Sequence, residues 1–226
     1  AAIGAVNAVA FDISAACAGF IFAMNIVEGF FKAGIYKTAL IIGAETLSKV
    51  TDWNDRGTCV LFGDGAGAAV LKAEETGIID MMMGADGTKG DVLACTSRTV
   101  GNFLTGTKPE LGFMTMDGQE VFKFAVRKVP ESVMELLQRT GKKKEDIKYY
   151  VLHQANERII EAAARRLKEP MEKFPMTIGQ FGNTSTASIP LLLDDMIQKD
   201  MLKRGDKIIM SGFGAGMTWG AVLMEW

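Results

Sequence analysis

The sequence predicts an α/β fold of two strand-helix-strand halves, and three observations carry that expectation. Short apolar runs with little polar alternation, such as Thr38-Ala-Leu-Ile-Ile-Gly43, have the pattern of strands in a sheet covered on both faces. Between them lie longer apolar stretches of helical length that stop at glycine or charged residues. The two halves also end alike: Leu61-Phe62-Gly63-Asp64-Gly65-Ala66-Gly67 leads to Val70-Leu71, and Phe213-Gly214-Ala215-Gly216 leads to Val222-Leu223. A chance likeness of two glycine hairpins explains this echo equally well, so duplication is one of two readings at this point.

The elements follow in order. Val9-Ala-Phe-Asp-Ile13 reads as a short strand, and an apolar helical stretch covers 16–33 and stops at Gly34. The strand at 38–43 is followed by a polar loop, Trp53-Asn-Asp-Arg-Gly57, and a glycine-punctuated pair of strands over 60–71. Residues 84–118 read as loop-rich. A helix is expected over 120–140, then the Lys142–144 run, a strand over 149–152 and a helix over 155–168. A loop, Gly179-Gln-Phe-Gly-Asn-Thr-Ser185, precedes a helix near 187–202, and two strands around a Gly-rich turn occupy 207–224.

Composition narrows the function classes. The 226 residues hold 25 Lys and Arg against 27 Asp and Glu, a formal net charge of −2, which argues against nucleic-acid binding through global basic charge. With 48% apolar and 23% charged residues the chain buries enough surface to fold. The length corresponds to about 1.5 average domains. One histidine excludes any site that needs two or three imidazoles from one chain, and no metal is expected. Cys17, Cys59 and Cys95 are odd in number and show no CxxC spacing, so neither a disulfide framework nor a zinc ribbon is indicated and a reducing, cytoplasmic setting fits best. No signal-peptide pattern opens the sequence, and its apolar stretches are broken well before the ~20 residues of a membrane span, so no membrane partner is expected.

Three polar residues stand where chemistry is built in α/β folds. Cys17 follows a strand-like run and opens a helix, where the helix's partial positive end and free N–H groups favour thiolate. Small neighbours, Ala15, Ala16, Ala18 and Gly19, leave room around its sulfur. His153, in Leu152-His-Gln-Ala-Asn-Glu-Arg158, sits at the equivalent strand-to-helix junction of the second half. Asn183, in Phe181-Gly-Asn-Thr-Ser-Thr-Ala-Ser188, marks a third junction. Structural readings stand beside these: a buried cysteine, a hydrogen-bonded histidine at a strand end, and an asparagine that caps a helix or satisfies a turn. Cys59 and Cys95 read as structural.

Taken together, six ordered segments resemble the β-ketoacyl-acyl carrier protein synthase III family. They are Asp12-Ile-Ser-Ala-Ala-Cys-Ala-Gly-Phe20, Asp55-Arg-Gly-Thr58, Phe62-Gly-Asp-Gly-Ala-Gly-Ala68, His153-Gln-Ala-Asn156, Gly182-Asn-Thr-Ser185 and Phe213-Gly-Ala-Gly-Met-Thr-Trp-Gly220. The resemblance runs from about residue 5 to 226. It implies a thiolase-like duplicated fold with five layers, α-β-α-β-α, in which 1–75 are the remainder of the first half, 76–119 a connection and substrate-site region, and 120–226 the second half.

It also implies a decarboxylating Claisen condensation of a short acyl-CoA with malonyl-acyl carrier protein, initiating fatty acid synthesis. Cys17 would carry the acyl group, and His153 and Asn183 would hydrogen-bond the malonyl thioester carbonyl as carbon dioxide leaves. Backbone N–H groups of Cys17 and Ala215 would form the oxyanion hole, Ala215 replacing the commoner glycine, which is tolerable unless the backbone there needs a glycine-only conformation. Arg56 would pack on the CoA adenine, Gly118 and Asn156 would lie near the pantetheine arm, and Phe213 would shape the acyl pocket. Lys123, Arg158, Arg165 and Arg166 would form a basic patch for the acidic carrier protein, with a solvated charged face partnered by Glu157 and Glu161 as the alternative. No cofactor is implied beyond acyl-CoA as substrate, and a homodimer is expected.

The single histidine separates relatives, since elongating ketoacyl synthases use two and thiolases want a second cysteine in the last Gly-rich turn. Chalcone-synthase-like polyketide synthases share Cys-His-Asn and are the runner-up, with a non-catalytic fragment of the fold as a third reading. A family member is expected to carry roughly a further third or more of this length before Ala1, including an adenine-stacking tryptophan that Trp53 does not replace. The first half is therefore expected to be incomplete, with uncovered apolar faces and poor solubility or inactivity of residues 1–226 alone. Pocket-lining residues are expected partly in 94–109.

Overall fold

The stretch after Cys17 forms α1 (Gly19–Lys32), entered through a 3-10 turn at Ala16–Ala18 and closed near Gly34, whose φ of 68° suits glycine at a helix end. In this computed structural model, which describes residues 2–96, 101–108 and 112–226, the chain continues through β1 (Thr38–Glu45), β2 (Gly65–Lys72), β3 (Ile78–Ala85), β4 (Leu93–Cys95) and β5 (Met114–Met116). Then come α2 (Gly118–Thr140), β6 (Tyr149–Leu152), α3 (Glu157–Leu167), α4 (Ile178–Phe181), α5 (Ser188–Gln198), β7 (Lys207–Gly214) and β8 (Thr218–Glu225).

The central sheet has four strands in the order β3-β8-β7-β6; β6 and β7 are parallel and the other pairs antiparallel. Side chains alternate across it with the strand period of two. Tyr150, Leu152 and Ile209 join the apolar core under α2 and α3, whereas Val151, Ile208 and Met210 join the core under α1 and α5. The second core also takes Ile41 of β1 with Ala69 and Leu71 of β2, so α1 and α5 are sandwiched between the β1-β2 pair and the central sheet. The described layers thus run β, α, β, α, in agreement with the thiolase-like α/β class. The outward face of β1-β2 is uncovered among the described residues: Leu40, Ile42 and Val70 are exposed.

Several elements differ from expectation. Residues 9–13 form no strand, because no strand among the described residues pairs with them, and Val9 and Phe11 are exposed. β1 is covered on one face only, its buried positions alternating with exposed ones. The stretch 60–71 holds one strand, not two. Its start is drawn into a turn, Leu61 N–H donating to Thr58 C=O. The stretch read as loop-rich contains β4 and β5, paired antiparallel, and β3, which no periodicity announced, edges the central sheet. The last helix ends at Gln198, followed by Asp200 with φ 55°. Of the expected pocket stretch 94–109, residues 97–100 and 109 lie outside the described residues.

Candidate active site

Cys17, His153 and Asn183 line a cavity of about 190 Å³, and each arrives from a different part of the chain. Cys17 sits in the 3-10 turn leading into α1, and Ala16 before it holds a left-handed φ of 46°. Two threonines from distant segments pin this turn. Thr186 Oγ1 donates to Ala16 C=O at 2.8 Å, and Thr218 Oγ1 donates to Ala15 C=O at 3.2 Å and Ala215 C=O at 3.1 Å. Such over-determination is what lets a strained conformation persist.

His153 follows β6 and is 2% exposed. Its N–H donates to Ser211 C=O of β7 at 2.8 Å, and its ring Nδ1 lies 2.6 Å from Ser188 Oγ. Phe213 packs edge-on against the ring, centroids 5.6 Å apart. Asn183 is stitched to the Gly-rich loop of the other half: its N–H donates to Leu61 C=O at 2.8 Å, and its C=O accepts from Gly63 N–H at 3.0 Å. Gly63 must be glycine there, since a Cβ would collide with Phe181 C=O. Asn183 does not cap α5. Its Oδ1 accepts from Ser185 N–H at 2.9 Å, which leaves the amide NH₂ as the end free to donate.

The cavity walls are mostly apolar, with Leu61, Phe62, Leu93, Met116, Phe122 and Phe213 prominent, and among the described residues no charged side chain lines them. Burial pushes His153 down to about 3, so the ring is neutral near pH 7. The expected thiolate at Cys17 is corrected by the same physics. Burial raises the thiol to about 11, and the opposing Ser185 hydrogen bond does not offset it, so the resting group is a thiol.

Of the other expected positions, Gly118, Asn156 and Phe213 line the cavity. Asn156 also caps α3, its Oδ1 accepting from Arg158 N–H at 2.9 Å. Arg56 is exposed and does not line the cavity, although its neighbour Gly57 does. Asp55 shapes that turn by accepting from Gly57 N–H at 2.9 Å and Thr58 Oγ1 at 2.7 Å. Ala215 begins the β7-β8 turn beside the cavity-lining Gly214. The left-handed position falls on Gly216, φ 128°, so alanine at 215 meets no glycine-only requirement.

Lys123, Arg158, Arg165 and Arg166 are exposed on α2 and α3, where Arg166 donates to Val126 C=O and so bridges the helices. Lys123 pairs with Glu120 and Arg165 with Glu161. Arg158 has no ion pair among the described residues. Cys59 is half-buried and Cys95 exposed; neither lines the cavity.

The residues that sequence reasoning missed are the supports: Ser188, Thr186, Thr218, Gln154 and Gly214. Gln154 is buried and spans Leu152 C=O, at 2.8 Å, and Thr177 N–H, at 2.9 Å. All five fall inside or beside the quoted motifs, yet each also contacts a residue more than twenty positions away in sequence, and only the motif context could have flagged them.

Comparison with known proteins agrees with this architecture. Residues 11–87 match the family model of 3-oxoacyl-[acyl-carrier-protein] synthase III, and residues 137–226 match the model of its C-terminal part. The β-ketoacyl-[acyl-carrier-protein] synthase III of Clostridium novyi (strain NT) is 52% identical over 227 residues, covering 100% of this chain and 70% of that protein. Among solved structures, the 3-oxoacyl-[acyl-carrier-protein] synthase III of Aquifex aeolicus VF5 superposes with a TM-score of 0.91 at 44% identity, covering 100% of this chain and 70% of that one. The enzyme of Pseudomonas aeruginosa PAO1 gives a TM-score of 0.93 at 38% identity, covering 99% and 70%. The chain belongs to the β-ketoacyl-[acyl-carrier-protein] synthase III family, condensing acyltransferases that initiate fatty acid synthesis.

Proposed function

We propose that this cavity joins a short acyl-CoA to malonyl-acyl carrier protein with Cys17 as the acyl carrier and His153 and Asn183 as hydrogen-bond donors. The observation that supports this reading is their convergence, from three separate segments, on one apolar cavity. Sγ of Cys17 attacks the thioester carbonyl, an acyl-cysteine forms, and CoA leaves as its thiol with the proton from Cys17. Backbone N–H groups of Cys17 and Ala215 hold the oxyanion of this step. The malonyl thioester then enters, its carbonyl facing His153 and Asn183.

The bond to the carboxylate breaks, carbon dioxide leaves, and the electron pair passes into an enolate that the two donors stabilise. Among the described residues no cationic side chain lines the cavity, so the carboxylate gains no ion pair there, and the charge it gives up on leaving as carbon dioxide passes to the enolate oxygen that His153 and Asn183 face. The enolate carbon attacks the acyl-cysteine carbonyl, the new C–C bond forms, and Cys17 leaves as thiolate.

In this reading residues 1–75 contribute the nucleophile, 120–226 the two donors, and 76–119 part of the cavity wall. Arg56, Gly118 and Asn156 contact CoA, and Lys123, Arg158, Arg165 and Arg166 receive the acidic carrier protein. The protein works in the cytoplasm as a homodimer, with no organic cofactor. No helix among the described residues is long and apolar enough to cross a membrane. Intact-protein mass spectrometry after incubation with acetyl-CoA tests the reading: an acetyl adduct is expected on the wild type and none on Cys17→Ala. An unmodified wild type, or an adduct retained in Cys17→Ala, overturns it.

A further inference from the structure

Ser188 opens α5, and its hydroxyl makes the contact that orients the histidine. Both residues are buried, they are 35 positions apart, and Oγ stands 2.6 Å from His153 Nδ1. The same oxygen receives the backbone N–H of Gln154 at 3.3 Å. A hydroxyl has one hydrogen to donate and two lone pairs that accept.

Two arrangements are open to this group. If Nδ1 carried the ring hydrogen, Oγ would accept twice and its own O–H would have no acceptor among the described residues, leaving a buried donor unspent. If Nδ1 is bare, Ser188 donates to it, Gln154 donates to Ser188, and every group is paired. The ring hydrogen then resides on Nε2, the ring nitrogen with no hydrogen-bond partner among the described residues, in a side chain that lines the cavity. Burial keeps the ring neutral and therefore limited to one hydrogen, and the edge of Phe213 holds its plane.

We propose that Ser188 is a positioning residue that fixes His153 as the Nε2–H tautomer, so that the ring presents a donor, not an acceptor, to the cavity. The proposal rests on the reading of His153 as a donor to the malonyl thioester carbonyl. It excludes the ring as the cavity's proton acceptor in the resting state.

The test uses the intact protein with ¹⁵N-labelled histidine, the His153 resonances being assigned by their loss in His153→Gln. The wild type is expected to show a protonated Nε2 and a bare, hydrogen-bonded Nδ1. Ser188→Ala is expected to mix the tautomers and to slow condensation by about tenfold, and Ser188→Thr, which keeps the hydroxyl, to restore both. An Nδ1–H ring in the wild type overturns the proposal without need of any variant. So does a Ser188→Ala protein with the wild-type tautomer and rate. Absence of acyl transfer to wild-type Cys17 overturns the reading of the site instead, and leaves the tautomer result standing.

Discussion

A Cβ placed on Gly214 would stand 2.6 Å from the backbone nitrogen of Cys17 and 3.1 Å from Ala16 Cβ. Strand β7 and the nucleophile's turn are therefore in backbone contact, and glycine is what permits it. The atoms it would meet all belong to a pinned turn, so none can yield cheaply. Gly214→Ala is expected to destabilise the protein by about 1–3 kcal/mol and to depress acyl transfer to Cys17. Thermal melting paired with adduct mass checks this; a variant with wild-type melting and adduct would contradict it.

Acid should weaken the fold through His153. Its ring is held down to about 3 from an ordinary 6.5 by burial, so the unfolded chain binds the extra proton first as pH falls. Stability is intact above pH 6.5 and is lost as pH falls from there toward about 3, at about 1.4 kcal/mol per unit. Between pH 7 and pH 5 the wild type is expected to lose about 2 kcal/mol more than His153→Gln, which cannot titrate. Urea midpoints at the two pH values measure the difference, and equal losses in both proteins would contradict the assignment.

The thiol of Cys17 behaves as a desolvated acid. Because burial raises it to about 11, the reactive thiolate is scarce at neutral pH and grows with each unit of alkalinity. Alkylation of Cys17 by iodoacetamide, followed by peptide mass, is expected to keep accelerating beyond pH 9. A rate that levels off near neutrality would show that the helix start dominates after all.

On the basic face, Lys123 and Arg165 already share carboxylates, so Arg158 is the more available charge. Arg158→Glu is expected to raise KM for a malonyl-carrier-protein substrate several-fold while leaving kcat at saturation nearly unchanged, since steering acts on encounter and not on chemistry. Added salt is expected to raise the wild-type KM and to blunt the difference. An Arg158→Glu protein with the wild-type KM at low salt would remove Arg158 from the patch.

Much of the site could be read from residue order alone. Cys17, His153 and Asn183 each sit at a junction between a regular element and its neighbour, and junctions are visible in apolar periodicity. The helices α1, α2 and α3 were legible for the same reason, within two or three residues at each end. The strand expected at 9–13 was not formed, because a strand is defined by a partner and local pattern does not supply one. β3 was missed for the complementary reason: its pairing with β8 joins residues some 140 positions apart, and no short window contains that information.

The amino-acid sequence by itself determined the class of chemistry: one histidine, a cysteine before a helix, an asparagine in a glycine-bounded loop, and motifs in the order of a condensing enzyme. Tertiary structure decided the state in which those groups rest. Burial makes Cys17 a thiol and His153 a neutral ring, and the Ser188 hydroxyl sets which ring nitrogen carries the hydrogen. Protonation and tautomer depend on what surrounds a group in three dimensions, through local dielectric and hydrogen-bond partners, and those neighbours come from distant parts of the chain.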